Sequence, residues 1–175
     1  MGRRKKVVEI DEEKFSSMGR EEKLYLFRDF TQLFYYELSK IPYSEITITQ
    51  SGNPESIAEE YYKDRGYEVY RSRVNGGYRC IGVEFYWQNF SSKLSEDDKM
   101  LIERLKYLMS PSEFKELAYM VKDKNGTPDL LVIKDKKISF TEVKFNYETV
   151  KPSTVEFYIR YGNKWPTSIL RVLRK

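Results

Sequence analysis

The apolar run Asp129-Leu130-Leu131-Val132-Ile133 is followed by the polar tetrapeptide Lys134-Asp135-Lys136-Lys137 and then by a second run, Ile138–Phe145. Two strand-forming segments on either side of a short charged break predict a hairpin. Beyond it, Ser153–Tyr161 has helical spacing and Ser168–Leu173 reads as a final strand. Upstream, Asn53 and Pro54 form a helix start, as cap and first helical residue, for a helix over about Pro54–Arg65 that turns Ile57, Tyr61 and Tyr62 inward. Gly66 stops it. Tyr67–Val74 alternates as a strand, and Asn75-Gly76-Gly77 predicts a hairpin turn into a further strand over Tyr78–Trp87. Helical patterns follow at about Glu96–Met109 and Pro111–Lys122. The order predicts an α/β fold: a central mixed β-sheet flanked by helices.

Residues 20–40 predict one helix with Leu24, Phe27, Phe30 or Thr31, Phe34 and Leu38 as its buried stripe, ended at Lys40-Ile41-Pro42. Tyr25, Tyr35 and Tyr36 lie outside that stripe, as rim packing or as a partner surface. The expected division is a basic arm and N-terminal helical extension over 1–50 and an α/β domain over 51–175, with a helical insertion at about 88–124. With 175 residues the chain suits one domain of ordinary size. No run of apolar residues is long enough for a membrane span, and the basic start lacks the apolar stretch of a secretory signal, so an intracellular location is expected, in the cytoplasm or in a host's cytoplasm if the source is viral.

There is no histidine and a single cysteine, Cys80. Serine–histidine and cysteine–histidine dyads, His-ligated metals, thiolate zinc sites and an internal disulfide are all excluded. Any acid–base or metal chemistry must come from carboxylates, lysines, tyrosines or metal-bound water, and 27 Asp and Glu residues supply oxygen ligands suited to Mg²⁺. The net charge of +4 equals the contribution of Arg3, Arg4, Lys5 and Lys6. That tetrad reads either as a solvated terminus or as an arm that contacts phosphates. Four arginines between Arg65 and Arg79 stand against Glu68, and six basic residues from Lys151 onward stand against Glu156. These clusters permit a nucleic-acid partner.

Chemistry concentrates on the hairpin. Asp129 sits at the mouth of the first strand behind Gly126-Thr127-Pro128, and Glu142 and Lys144 lie 13 and 15 residues further on. Alternation places Glu142 and Lys144 on one strand face, and the short turn allows Asp129 to lie beside Glu142. Two carboxylates in contact repel each other, and a divalent cation relieves that repulsion while offering a Lewis acid to a phosphodiester. Lys144 is suited to orienting the attacking water or neutralising charge on the phosphate. The alternative for these residues is a cross-strand salt bridge on an exposed face, worth at most ~1 kcal/mol.

Gly126-Thr127-Pro128-Asp129 with Glu142-Val143-Lys144 resembles the signature of the PD-(D/E)XK nuclease superfamily, and within it the small Holliday-junction resolvases and the VRR-NUC nucleases. Those families carry a helical glutamate about eleven residues before a glycine that opens the first strand. Glu55 holds that place before Gly66, with Glu59, one turn along, as its rival. Gly66–Ser72 also resembles the first resolvase strand. Lys151–Phe157 resembles the helix after the VRR-NUC Glu-x-Lys strand, with Glu156 where a glutamine is common. The resemblance covers 53–74 and 126–173.

What it implies is a restriction-endonuclease-like core and a Mg²⁺-dependent endodeoxyribonuclease, with Mn²⁺ as substitute, acting on branched or four-way-junction DNA as a homodimer. Asp129, Glu142 and Glu55 would hold the metal and Lys144 would position the nucleophile. Arg71, Arg73, Lys151 and Arg160 are the expected DNA contacts. Two other functions remain open on the residues alone: a nucleic-acid-binding module without turnover, and a structural protein using its tyrosine-rich helices.

Overall fold

The apolar run after Asp129 forms β3 (Leu130–Lys134) and the run after the charged break forms β4 (Lys137–Phe145). They pair antiparallel with Leu130 opposite Thr141 and Lys134 opposite Lys137. Asp135 and Lys136 close the turn between them at φ 50° and 64°, the left-handed pair that a two-residue hairpin demands. In the computed structural model, residues 11–27, 29–86, 93–122 and 126–175 are described. The Arg3–Lys6 tetrad and the start of the expected insertion, residues 88–92, lie outside them.

Around this hairpin the elements run α1 (Glu12–Ser17), α2 (Arg20–Leu26), α3 (Thr31–Lys40), β1 (Tyr43–Ile48), α4 (Pro54–Lys63), β2 (Glu68–Arg71), α5 (Cys80–Tyr86), α6 (Glu96–Leu108), α7 (Pro111–Val121), β3, β4, α8 (Pro152–Tyr161) and β5 (Thr167–Arg174). The five strands form one mixed sheet in the order β1-β5-β4-β3-β2, with β5 parallel to both neighbours. Helices cover both faces, as the sequence predicts.

On one face α4 packs Ala58 against Leu130, Val132, Val143, Leu170 and Val172. Tyr62 reaches from α4 to share a hydrogen bond with Thr141 at 2.9 Å, and Thr141 shares another with Ser168 of β5 at 3.1 Å. On the other face Leu131, Ile133 and Phe140 meet α5, α6, α7 and Phe157 of α8. A further cluster, built on Leu33, Tyr36, Val155, Ile159 and Ile169, joins the N-terminal helices to α8. The cores alternate along β3 and β4 because successive side chains point to opposite faces.

Three local expectations are corrected. The segment expected as one helix over 20–40 is two, α2 and α3, parted at an extended Phe30 (φ −116°, ψ 95°). On a continuous helix Phe27 and Leu33 would lie roughly 120° apart around the axis; the break lets both enter the same cluster. Tyr36, expected outside the stripe, is buried, and Phe30 is exposed. Second, the strand expected over Tyr78–Trp87 is not formed in its described part: Cys80–Tyr86 is helical and buries Cys80 and Ile81, and Trp87 lies outside the described residues. Gly82 is what admits it, since a Cβ there would stand 2.9 Å from Lys122 Cα. Third, Tyr43–Ile48, within the expected N-terminal extension, is a strand that extends the sheet beside β5. It alternates only over its second half, where Ile46 and Ile48 pack against the core on the α4 face while Glu45 and Thr47 stay exposed.

Candidate active site

Asp129 is placed by the turn that precedes β3. Gly126 takes φ +83°, and the buried Tyr78 hydroxyl donates to the Pro128 carbonyl, which fixes the chain just before the aspartate. Ser72 N–H donates to the Asp129 carbonyl at 2.8 Å, tying the end of β2 to the same point. The Asp129 side chain then accepts from the Val143 N–H at 2.7 Å. Continuing the ladder one step from the Leu130–Thr141 pair sets Asp129 opposite Glu142.

Glu142 and Lys144 share one face of β4, as alternation requires, and both are buried. Glu142 Oε1 accepts from Lys144 Nζ at 2.6 Å and from Thr154 Oγ1, on the first turn of α8, at 3.1 Å. The second carboxylate oxygen of Glu142 takes no hydrogen bond within the described residues. Burial, and next the Glu142 charge, push the Asp129 carboxyl up to about 7 from its ordinary 3.8, against the opposing Val143 N–H and Lys144 ammonium. An acid pair strained in this way gains from any positive charge brought between its members.

Asp129 and Glu142 open into a cleft of about 820 Å³ whose other walls include Glu55, Arg73, Lys151 and Thr154. Lys144 is not among the lining side chains and stands behind Glu142. Glu55, half exposed at the start of α4, faces the cleft with Arg71 Nη1 at 3.9 Å. Glu59 is engaged elsewhere, with Arg71 at 2.6 Å and Lys63 at 2.5 Å. Burial opposes its charge, but those two hydrogen bonds prevail and hold the carboxyl below its ordinary range.

The four basic candidates separate. Arg73, beyond the end of β2 rather than on it, and Lys151 line the cleft. Arg71 turns to Glu59 and Ser56, and Arg160 pairs with Glu156 along α8 at 3.1 Å. Thr154 and Tyr78 had been missed: a threonine early in a helix and an aromatic after a glycine pair carry no local mark of what they reach across the fold.

The donor set fits a hard divalent cation in kind, being carboxylate oxygens of which burial and the Glu142 charge make the Asp129 anion costly until a positive charge is brought in. In number it is a pair: among the described residues no group of three or more His, Cys, Asp or Glu side chains stands close enough to hold a metal ion. Asp129 and Glu142 come together, and Glu55 reaches the cleft wall without joining them.

A mixed five-stranded sheet with helices on both faces, carrying Asp129 before β3 and Glu142 within β4, defines an α/β fold. The solved structures share it: paFAN1 bound to 5′-flap DNA with a gap matches with a TM-score of 0.55 for the two-nucleotide flap and 0.54 for the one-nucleotide flap, each at 10% identity. The alignments cover 94% of this chain and 45% of paFAN1, so the chain spans less than half the length of that protein. No family model matches the chain, and no curated protein does. Among the described residues, no helix is long and apolar enough to cross a membrane.

Proposed function

We propose that the chain is a divalent-metal-dependent DNA endonuclease that hydrolyses phosphodiester bonds in branched DNA, a flap or a four-way junction, working as a homodimer so that two clefts meet opposite strands. The observation that carries this reading is the Asp129–Glu142 pair at a cleft flanked by Arg73 and Lys151. The fold shared with paFAN1, solved on flap DNA, supports it. Asp129 and Glu142 would hold Mg²⁺ or Mn²⁺, with Glu55 reaching it through a water. Such an ion supplies a Lewis acid for the phosphoryl oxygen and an acidified water.

The protein's own groups do the rest. Arg73 and Lys151 bind the backbone phosphates on either side of the scissile bond. Lys144 and Thr154 occupy one oxygen of Glu142 and leave the other for the cleft. Lys144, the residue expected to orient the nucleophile, acts in this arrangement through Glu142.

A second reading, DNA binding without turnover, is favoured by the acid pair's lack of a third close ligand. One assay separates the two. Labelled duplex, single-stranded, 5′-flap and four-way-junction DNA are incubated with Mg²⁺, Mn²⁺ or EDTA beside the Asp129→Asn and Glu142→Gln variants. Metal-dependent cutting by the wild type, lost in both variants while DNA affinity persists, supports the enzyme. Binding with no cutting under any metal supports the second reading.

A further inference from the structure

At the far end of the β3–β4 hairpin, away from the carboxylates, the surface carries Arg65, Lys134, Lys136 and Lys137, all exposed. Cations this close are usually neutralised by carboxylates, yet none of the four ion-pairs with an acid among the described residues. Three of them are held over tyrosine rings instead. Arg65 stacks on Tyr61 with 3.6 Å from Cζ to the ring centroid, Lys134 lies over Tyr67 at 4.7 Å and Lys136 over Tyr107 at 5.9 Å. Lys134 also donates to the Arg65 carbonyl at 2.8 Å, which joins the end of α4 to the end of β3. Three acids lie by this surface: Asp64, the exposed chain neighbour of Arg65; Asp135, in the turn itself; and Glu113, whose carboxylate is taken by Ser110 at the start of α7.

A ring beneath a cation fixes its position without cancelling its charge. The charges are thus ordered in advance and open on their outer side, which removes much of the entropy cost of capturing a polyanion. The turn adds a second observation. Lys136 adopts φ +64°, where glycine or asparagine costs least and a lysine costs more. A strained lysine at the tip of an otherwise regular hairpin is an expense that charge placement accounts for.

We propose that this cation–tyrosine tip is a second nucleic-acid contact, which grips the phosphate backbone of a duplex arm leaving the cleft. The proposal rests on the DNA reading above. Lys134 lies five strand steps from Asp129, so the tip stands roughly 16 Å from the acids measured along the sheet, about the rise of five base steps of a duplex.

The test is DNA-binding titration of the full chain in EDTA, by fluorescence anisotropy, across a range of salt concentrations. One duplex is too short to extend beyond the cleft and one carries an arm of about 20 base pairs. Two variants are compared with wild type: Lys134→Gln/Lys136→Gln/Lys137→Gln, and Lys136→Gly, which removes a charge and relieves the strained φ. On the long arm the triple variant should bind roughly tenfold or more weakly, with the salt slope reduced by about 2 to 3. On the short duplex it should match wild type. Lys136→Gly should reduce the long-arm slope by about 1 while melting no lower than wild type, which separates binding from folding.

Equal long-arm affinity and slope in wild type and triple variant overturn the proposal, even if the protein cuts DNA. A lowered slope in a protein that never cuts keeps it and fails the endonuclease reading alone. Capture of poly-glutamate but not DNA by wild type, lost in the triple variant, overturns it in favour of an acidic protein partner.

Discussion

Lys144 and Glu142, two residues apart on one face of β4, form a buried ion pair of 2.6 Å whose side chains are 8% and 9% exposed. At that burial, removing one partner leaves a desolvated charge, and the cost exceeds that of any surface pair. Lys144→Met should therefore lower the urea-unfolding free energy by ~3 kcal/mol or more. Glu142→Gln combined with Lys144→Met should cost less than the sum of the single changes, because the orphaned charge disappears with its partner.

The Asp129 carboxyl, raised to about 7, gives a signed pH dependence in the metal-free protein. The folded state holds this proton more tightly than the unfolded chain, so the group's contribution is fully present below its ordinary value of 3.8 and is lost as pH rises through about 7. In EDTA, Asp129→Asn should gain on wild type between pH 5 and pH 8, by on the order of 3 kcal/mol. Paired denaturant titrations at those two pH values check it. At pH 8, Mg²⁺ should raise the melting temperature of wild type and leave Asp129→Asn unchanged, since only the former regains its balancing charge.

Thr154 donates to the same Glu142 oxygen as Lys144. Thr154→Val keeps the volume and removes the hydroxyl, at a cost of about 2 kcal/mol in stability. If Glu142 serves the proposed reaction, this variant should lower kcat more than KM, and Thr154→Ser should restore most of both. Steady-state cleavage of a flap substrate by the three proteins reads out that pattern, and an unchanged kcat in Thr154→Val would remove Thr154 from the site.

Gly82 is the contact point of α5 with the end of α7, where a Cβ would meet Lys122 Cα at 2.9 Å. Gly82→Ala should destabilise the protein by ~1–3 kcal/mol through overpacking, despite alanine's better helix propensity. A melting temperature at or above that of wild type would mean that α5 does not pack as described.

What could be read from the sequence was local. Asn53-Pro54 starts α4, and Ser95 and Ser110 open α6 and α7 with reciprocal capping to Asp98 and Glu113. The four-residue charged break set the β3–β4 register, and with it the approach of Asp129 to Glu142. What stayed hidden depends on distant partners. The Tyr78–Tyr86 segment follows a glycine pair with aromatic and β-branched residues, which is a strand's local character, and burial of Cys80 and Ile81 against α7 overrides it. β1 alternates only over residues 45–48, a run too short to stand out until β5 is seen beside it. The spacing to Gly66 favours Glu55 over Glu59, but that Arg71 and Lys63 claim Glu59 can be seen only across the fold.

The shared hydroxyls of Tyr62, Thr141 and Ser168 stitch α4 across β4 to β5. Glu55, Glu142 and the last strand are thereby locked to one another although they enter the chain at widely separated times during synthesis. An emerging polypeptide that has not yet delivered β5 lacks the final stitch, so the cleft is completed only once that strand has joined the sheet.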